Sequence, residues 1–459
     1  MVNKIQLLKS EVFGDGMLKQ SDRYSKLFLN HIPIMITDKG KILCIPYSEE
    51  TAHIGLVGQT GKGKGICGNS ILGMQYWFAK RLCVILNDFQ QETFENSLPS
   101  TNNVFNNNLK ILNLNPMPLP IVYVYPSNKN LQIKPVEKLF PHIKMCLPTE
   151  VVIRNIENFY KMDKSGKYVT GYIDRFLECE NLEDIDLTID NILNENFPDS
   201  GGKKFEEMKF KIRTIFKNVF DEQISDTSSP ADSYAYLTIN RKGLKDYKNL
   251  TIQSLVAAGF IPSIQTSDIK NERWFSAYMA FIVNSIYWDK YNDEFFKDRD
   301  ICIYCPEIDK LYKTDTGLDK GNLIKKELSL IGTNGRRARI ILIWDAQSYD
   351  SVIESVRTNT KYLFVGRMSF EEEVRGIKKD FNVNKEVQDW ILSLNTESSK
   401  GVFEFVALTS DKFIIYNPRN GGIQSTNEPQ RGRLITPMAC HKKPGVPIEN
   451  VIGFRKENL

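Results

Sequence analysis

Residues 53–72 read HIGLVGQTGKGKGICGNSIL, and no other stretch constrains the fold so tightly. The short run from Ile54 to Val57 predicts a buried strand. Glycines follow at 58, 61, 63 and 65, and then a run that suits a helix from about Gly68 to Lys80. Glycine-rich backbone between a strand and a helix brings N–H groups close to an anion, and the helix N-terminus adds its positive dipole. The spacing matches G-x-x-x-x-G-K-[ST] at Gly58, Gly63 and Lys64. Gly65 stands where the motif has Ser or Thr, so the hydroxyl that normally holds Mg²⁺ is missing. Gly58, Gln59, Thr60, Gly61, Lys62, Gly63, Lys64 and Gly65 form the candidate phosphate cradle. A plain glycine turn would not explain two lysines flanking Gly63.

A chain of 459 residues, 41% hydrophobic and 25% charged, can bury a large core and divide into two or three units. A net charge of +4 is close to neutral at this size, so any basic surface must be local. The eight cysteines, at 44, 67, 83, 146, 179, 302, 305 and 440, are scattered and read as buried thiols of a reducing compartment. Cys302 and Cys305 form a C-x-x-C, but inside an apolar strand and with no second pair, which argues against zinc or redox use. Four isolated histidines argue against a histidine-rich metal site. No apolar run approaches the roughly 18–20 residues of a membrane span, and the N-terminus has no signal-peptide core. These features read as a cytoplasmic protein.

The organisation follows from pattern changes along the chain. Residues 1–50 hold two short strands, FLNHIPIMI and GKILCIPY, joined at Asp38-Lys39-Gly40 as a β-hairpin. Residues 51–130 carry the loop, its helix, the buried strand RLCVILND ending at Asp88, a second predicted strand NLKILNLN, and a proline-punctuated stretch. Residues 131–248 predict an α-helical insertion, because apolar residues recur there at helical spacing between charges. Residues 249–420 resume the sheet: LVAAGFIPSIQ as a strand, a long apolar helix over 272–291, strands ending at CPEID and WDAQ, a strand KYLFVGRM, and a hairpin FEFVALTSDKFIIYNP. The aromatics of the 272–291 helix read as core. Residues 421–459 predict a tail that wraps the surface or a neighbour. Strand, helix, strand order implies a parallel sheet with right-handed crossovers.

Three further stretches carry candidate chemistry. In P-loop ATPases a second apolar strand lies beside the loop strand and ends in an acidic pair that serves Mg²⁺ and the attacking water. ICIYCPEID puts Pro306 at the first of these positions and Glu307 at the second, so Glu307 is the candidate general base. Asp309 or Asp88 are candidates for the missing charge. Gln347, ending IILIWDAQ, is either a γ-phosphate sensor or an ordinary polar strand end. Arg336, Arg337 and Arg339 cluster before that strand. They suit a finger reaching a neighbouring subunit's phosphoryl group, a solvated turn or a phosphate contact to DNA. Lys203 and Lys204, and Arg241, Lys242 and Lys245, are either DNA-facing loops or solvated charge.

The order GQTGKGKG, VILNDFQQE, CPEID, GRRARIILIWDAQ resembles the HerA/FtsK superfamily of ring-forming DNA-pumping ATPases, which includes conjugative coupling proteins and viral genome-packaging ATPases. Asp88 to Glu92 loosely match its D-x-x-G-E-like segment, and Gly335 to Gln347 its later G-R-x-x-G-I-x-L-I-x-x-x-Q segment. The resemblance spans roughly residues 50–125 and 250–420. It implies an α/β fold, a RecA-like P-loop NTPase core with a mainly parallel sheet. It implies ATP and Mg²⁺ as cofactors, with ATP bound between subunits of a hexamer, and DNA as the partner. Coupling proteins can carry G-K-G in the loop. They usually add membrane helices, which are not found in this sequence, so a membrane or capsid partner protein is expected. The competing reading is a degenerate nucleotide-binding scaffold, motivated by Gly65 and Pro306. A small-molecule kinase fits poorly, since no arginine-rich lid segment is found.

Overall fold

The computed structural model describes residues 30–47, 52–88, 102–114, 119–125, 142–144, 149–160, 166–198, 202–223, 252–257, 259–265, 272–312, 323–397 and 402–436, with Asn96, Pro116 and Leu147 besides. Fifteen strands lie in one continuous system. They are β1 (His31–Thr37), β2 (Ile42–Pro46), β3 (His53–Val57), β4 (Leu82–Asp88), β5 (Ile121–Tyr125), β6 (His142–Lys144), β7 (Ile261–Gln265), β8 (Ile301–Cys305), β9 (Ile340–Ala346), β10 (Thr360–Val365), β11 (Thr396–Glu397), β12 (Val402–Thr409), β13 (Phe413–Tyr416), β14 (Ile423–Thr426) and β15 (Gln430–Leu434). The spatial order is β14-β13-β2-β1-β15-β12-β10-β3-β9-β8-β4-β7-β5-β6, with β11 paired to β12. From β10 to β6 every pairing is parallel, and from β10 outward the pairings are antiparallel.

The parallel half is buried on both faces, which is why its strands read as unbroken apolar runs. Alternate residues feed two cores. On one face Ile54, Leu56, Ile85, Tyr304, Ile341 and Ile343 meet helix α1 (Lys64–Phe78). On the other, Val57, Val84, Ile303, Leu342 and Trp344 meet α5 (Glu272–Asn292) and α6 (Leu323–Asn334). This is the α/β layering expected of a RecA-like core. Between α1 and α5 the chain also forms α2 (Asn103–Ile111), α3 (Leu182–Asn196) and α4 (Lys203–Gln223), beside shorter helices. The helices of the insertion join the second core, with Phe176 stacked on Phe216 at 4.4 Å and Phe159 6.4 Å from Trp274 of α5. The exception to a core reading of the aromatics in α5 is the exposed set Phe281, Trp288 and Tyr291.

Several sequence expectations are corrected. NLKILNLN is not a strand. Asn102 caps α2 by accepting from the N–H groups of Val104 and Phe105, and Phe105, Leu109 and Leu112 are buried at helical spacing. LVAAGFIPSIQ is split between a short helix, Ile252–Ala257, and β7. FEFVALTSDKFIIYNP is not a hairpin: β12 is flanked by β10 and β15, so β13 pairs with β2 and β14 instead. Part of the 421–459 stretch does not wrap the surface, because β14 and β15 are sheet strands and β15 is inserted between β1 and β12. The segment read as helical insertion also contains a strand, β6, paired with β5 at the end of the sheet. The β1–β2 hairpin is present, turning through Asp38-Lys39-Gly40. Arg241, Lys242 and Lys245 lie outside the described residues.

Candidate phosphate-loop site

The loop between β3 and α1 leaves the C-terminal edge of the parallel sheet, and α1 starts at Lys64, four residues before the expected Gly68. Gly63 has φ 87° and precedes the helix. A Cβ there would lie 2.3 Å from the Phe403 ring of β12, so glycine is required both by backbone conformation and by close approach. The loop is tied to β10 through the Gly366 N–H donating to Val57 O (2.8 Å) and the Gln59 N–H donating to Arg367 O (3.3 Å). Lys64 is buried, and its ammonium donates to Gln59 O at 3.2 Å, its own loop standing in for an anion. Burial lowers the Lys64 pKa, opposed by the carboxylates of Asp345, Glu307 and Asp309.

Strand register brings the other candidates to the same edge. β3 pairs with β9 through Val57 and Ala346, so Gly58 and Gln347 follow side by side, with Gln347 exposed. β8 does not lie beside the loop strand, as expected from the sequence: β9 intervenes. The last β8–β9 pair is Cys305 with Trp344, which sets Pro306 and Glu307 alongside Asp345 and Ala346. Glu307 adopts φ 46°, a left-handed conformation that costs a non-glycine residue about 1–2 kcal/mol. Its N–H donates to Asp345 Oδ1 at 3.0 Å and its carboxylate pairs with Lys310. Strain held in place at such a position fits a functional role. Asp309 is also nearly buried and accepts from Ser351 Oγ at 3.3 Å.

Asp345, which the sequence reading did not single out, lies among these candidates. It is 2% exposed, and its Oδ2 accepts from the Tyr304 hydroxyl at 2.7 Å. Burial raises its pKa, and the Tyr304 hydroxyl, the Glu307 N–H and the Lys64 ammonium oppose that. A charge inside the buried run IILIWDA was the available signal. Tyr304 reaches it by crossing beneath α1 at Gly68, where a Cβ would sit 2.3 Å from the ring and hydroxyl.

Asp88 ends β4, opposite Gln265, at the same sheet edge two strands beyond β9. Arg336 and Arg337 are not brought to this site. They are exposed in the turn before β9, at its far end, and the seven residues of that strand span roughly 20 Å. Arg339 leaves their cluster, because it pairs with Asp300 (2.7 Å), which also holds Arg81 (3.0 Å). Lys203 and Lys204 are exposed in the first turn of α4. Cys302 and Cys305 point into opposite cores and cannot act as a pair.

Among the described residues no group of three or more His, Cys, Asp or Glu forms a stand-alone metal site. A nucleotide-borne Mg²⁺ does not need one, since phosphates and water fill most of its shell. The donor set here fits such an ion: two ammonium groups, Lys64 and Lys310, against three carboxylates, Asp345, Glu307 and Asp309, leave an excess negative charge.

A glycine-rich loop on a helix N-terminus, one strand removed from a strand that ends in a glutamate, defines the P-loop nucleotide-binding class of fold. Among solved structures, the chain is similar to the bacterial conjugative coupling protein TrwB lacking 70 N-terminal residues (11% identity, 88% of this chain and 89% of that one, TM-score 0.42). It is also similar to VirB4 of Thermoanaerobacter pseudethanolicus (10% identity, 88% and 96%, TM-score 0.46) and to the genome-packaging NTPase B204 of Sulfolobus turreted icosahedral virus 2 (9% identity, 82% and 96%, TM-score 0.26). Likeness at this level carries no argument about activity. No protein-family model matches the sequence, and no curated protein matches it significantly.

Proposed function

We propose that this chain is an ATP-hydrolysing subunit of a ring-shaped motor that moves DNA. The observation that carries the nucleotide part is the meeting of the Lys64 loop with Glu307 at one edge of the parallel sheet. The N–H groups of residues 58–65 and the N-terminus of α1 hold the phosphates, and the Lys64 ammonium exchanges Gln59 O for a phosphate oxygen. Mg²⁺, when bound, would neutralise charge on the phosphate oxygens; Asp345 and Asp309, whose charges act on Lys64, would hold it, and Asp88 ends β4 at the same sheet edge. Glu307 takes the proton of the attacking water. Gln347 reads the γ-phosphate. Arg336 and Arg337, too far from their own loop, serve the loop of the next copy, which makes the working state an oligomer, a hexamer in the HerA/FtsK-like arrangement.

The DNA step rests on the order of the four sequence motifs, and exposed Lys203 and Lys204 are candidate contacts. No helix among the described residues is long and apolar enough to cross a membrane; a membrane or capsid partner protein is part of this reading. A cytoplasmic location accords with the scattered thiols.

The test is ATP turnover with and without DNA. Wild type should hydrolyse ATP faster with DNA. Lys64→Ala should lose nucleotide binding. Glu307→Gln should bind ATP normally and lose roughly 10²–10⁴-fold in turnover. Equal turnover in wild type and both variants removes the motor reading. Gly65 and Pro306 favour a second reading, a nucleotide-binding scaffold. Tight Mg²⁺-independent binding without turnover in wild type would select it.

A further inference from the structure

Pro306 leaves the first acidic position of the β8 terminus without a carboxylate. We propose that Asp345 supplies it, so that the carboxylate facing a bound divalent cation comes from β9, one strand nearer the phosphate loop. The inference rests on the nucleotide reading above.

Register is the first argument. The β8–β9 ladder ends at Cys305 and Trp344, and one further step sets Pro306 beside Asp345. The exchange therefore moves the charge sideways by one strand, about 4.8 Å, and keeps its height at the sheet edge. The second argument is the face. Ile341 and Ile343 belong to the core beneath α1, and two-residue alternation puts Asp345 on that side, below the helix N-terminus that follows the loop. Lys64 of that first turn feels its charge.

The third argument is unfinished pairing. A buried carboxylate is costly unless it is paired as well as hydrogen-bonded. Asp345 has the Tyr304 hydroxyl and the Glu307 N–H, which occupy two of about four acceptor directions of a carboxylate. Among the described residues no cation lies within ion-pair distance of it, and Lys64 donates to Gln59 O instead. The directions left over suit a water of a cation's shell. Because Asp345 also holds the Glu307 N–H, the same side chain sets the metal-facing charge and the general base in fixed relation.

The experiment is binding of a fluorescent ATP analogue to the full chain, with EDTA and then with Mg²⁺. Wild type should bind more tightly with Mg²⁺. Asp345→Asn keeps the shape and an acceptor for Glu307. It should bind the metal-free analogue like wild type and lose roughly tenfold or more of the Mg²⁺ gain. Adding Pro306→Asp to that variant should restore the gain, and Tyr304→Phe, which keeps the carboxylate, should retain it. An unchanged gain in folded Asp345→Asn, or an equal loss in Tyr304→Phe, overturns the assignment. For the case where Asp345→Asn does not fold, wild type labelled with 3-fluorotyrosine gives a second reading. The Tyr304 fluorine line, identified by its loss in Tyr304→Phe, should broaden with Mn²⁺ and a non-hydrolysable ATP analogue. A line that stays sharp overturns the proposal. If wild type binds no nucleotide, the proposed function falls with it. If wild type binds with a Mg²⁺ gain that Asp345→Asn keeps, only this inference falls.

Discussion

His53 shows how much one side chain can tie together. It starts the loop strand and is fully buried. Its Nδ1 accepts from the Leu342 N–H of β9 (3.0 Å), and its Nε2 sits 3.2 Å from Ile331 O of α6. Both contacts together require a neutral ring with the proton on Nε2. Burial pushes its pKa down to about 4. Between pH 6.5 and 4 the unfolded chain takes up a proton that the folded chain refuses. Stability is therefore complete above pH 6.5 and falls by about 3 kcal/mol as pH drops through about 4. Denaturant titrations at stepped pH should show this fall, and His53→Phe should flatten it. A wild-type profile flat over that window would remove His53 from this role. The sequence offers His53 only as an isolated histidine, because its partners are 278 and 289 positions away. Lys64 and Glu307 stood out in the sequence because a glycine-rich loop and an apolar run ending in an acid are local patterns, although both face residues far along the chain. Asp345 did not, since its partners come from β8.

At the scale of elements, the loop depends on a strand that no motif marks. β12 reaches it from across β10 and puts Phe403 under Gly63. Phe403→Ala should cost roughly 3–5 kcal/mol by chemical denaturation and also weaken nucleotide binding, because the loop loses its floor. Phe403→Leu should cost much less. If affinity is unchanged in a destabilised Phe403→Ala, the loop is held by β10 alone. The elements read correctly from sequence are those with a strong local pattern: the β1–β2 hairpin, β3 with the helix after it, the apolar runs of β4, β8, β9 and β10, and α5. The misreadings have different causes. NLKILNLN alternates enough to pass for a strand, but the Asn102 cap and the spacing of Phe105, Leu109 and Leu112 choose a helix. SDK between β12 and β13 looks like a hairpin turn, but both edges of β12 are already taken.

For the whole molecule, the parallel half carries the candidate site, and the antiparallel half, built from β1, β2 and β12 to β15, braces it. Ser70 of α1 donates to Thr436 just after β15 (3.0 Å), so the last described residues pack on the loop helix. The distance between Arg336, Arg337 and their own loop makes a subunit-mixing experiment decisive. Lys64→Ala and the double variant Arg336→Ala, Arg337→Ala should each be inactive alone. Mixed, they should regain part of the ATPase activity, since an intact loop then meets intact arginines across an interface. Two variants that stay inactive in every ratio, though assembled, would remove the finger role.

By itself the sequence determined the cradle, the layered α/β class and the glutamate at a strand end, because a loop, a helix start and a buried run are local consequences of glycine, periodicity and capping. The tertiary structure alone decided that β9 stands between the loop strand and β8, that β1 and β2 meet β12 to β15 in one sheet, and that a carboxylate from β9 lies under the loop helix. Strand order is settled by which edges remain free once the cores have packed, and that information is spread over residues hundreds of positions apart.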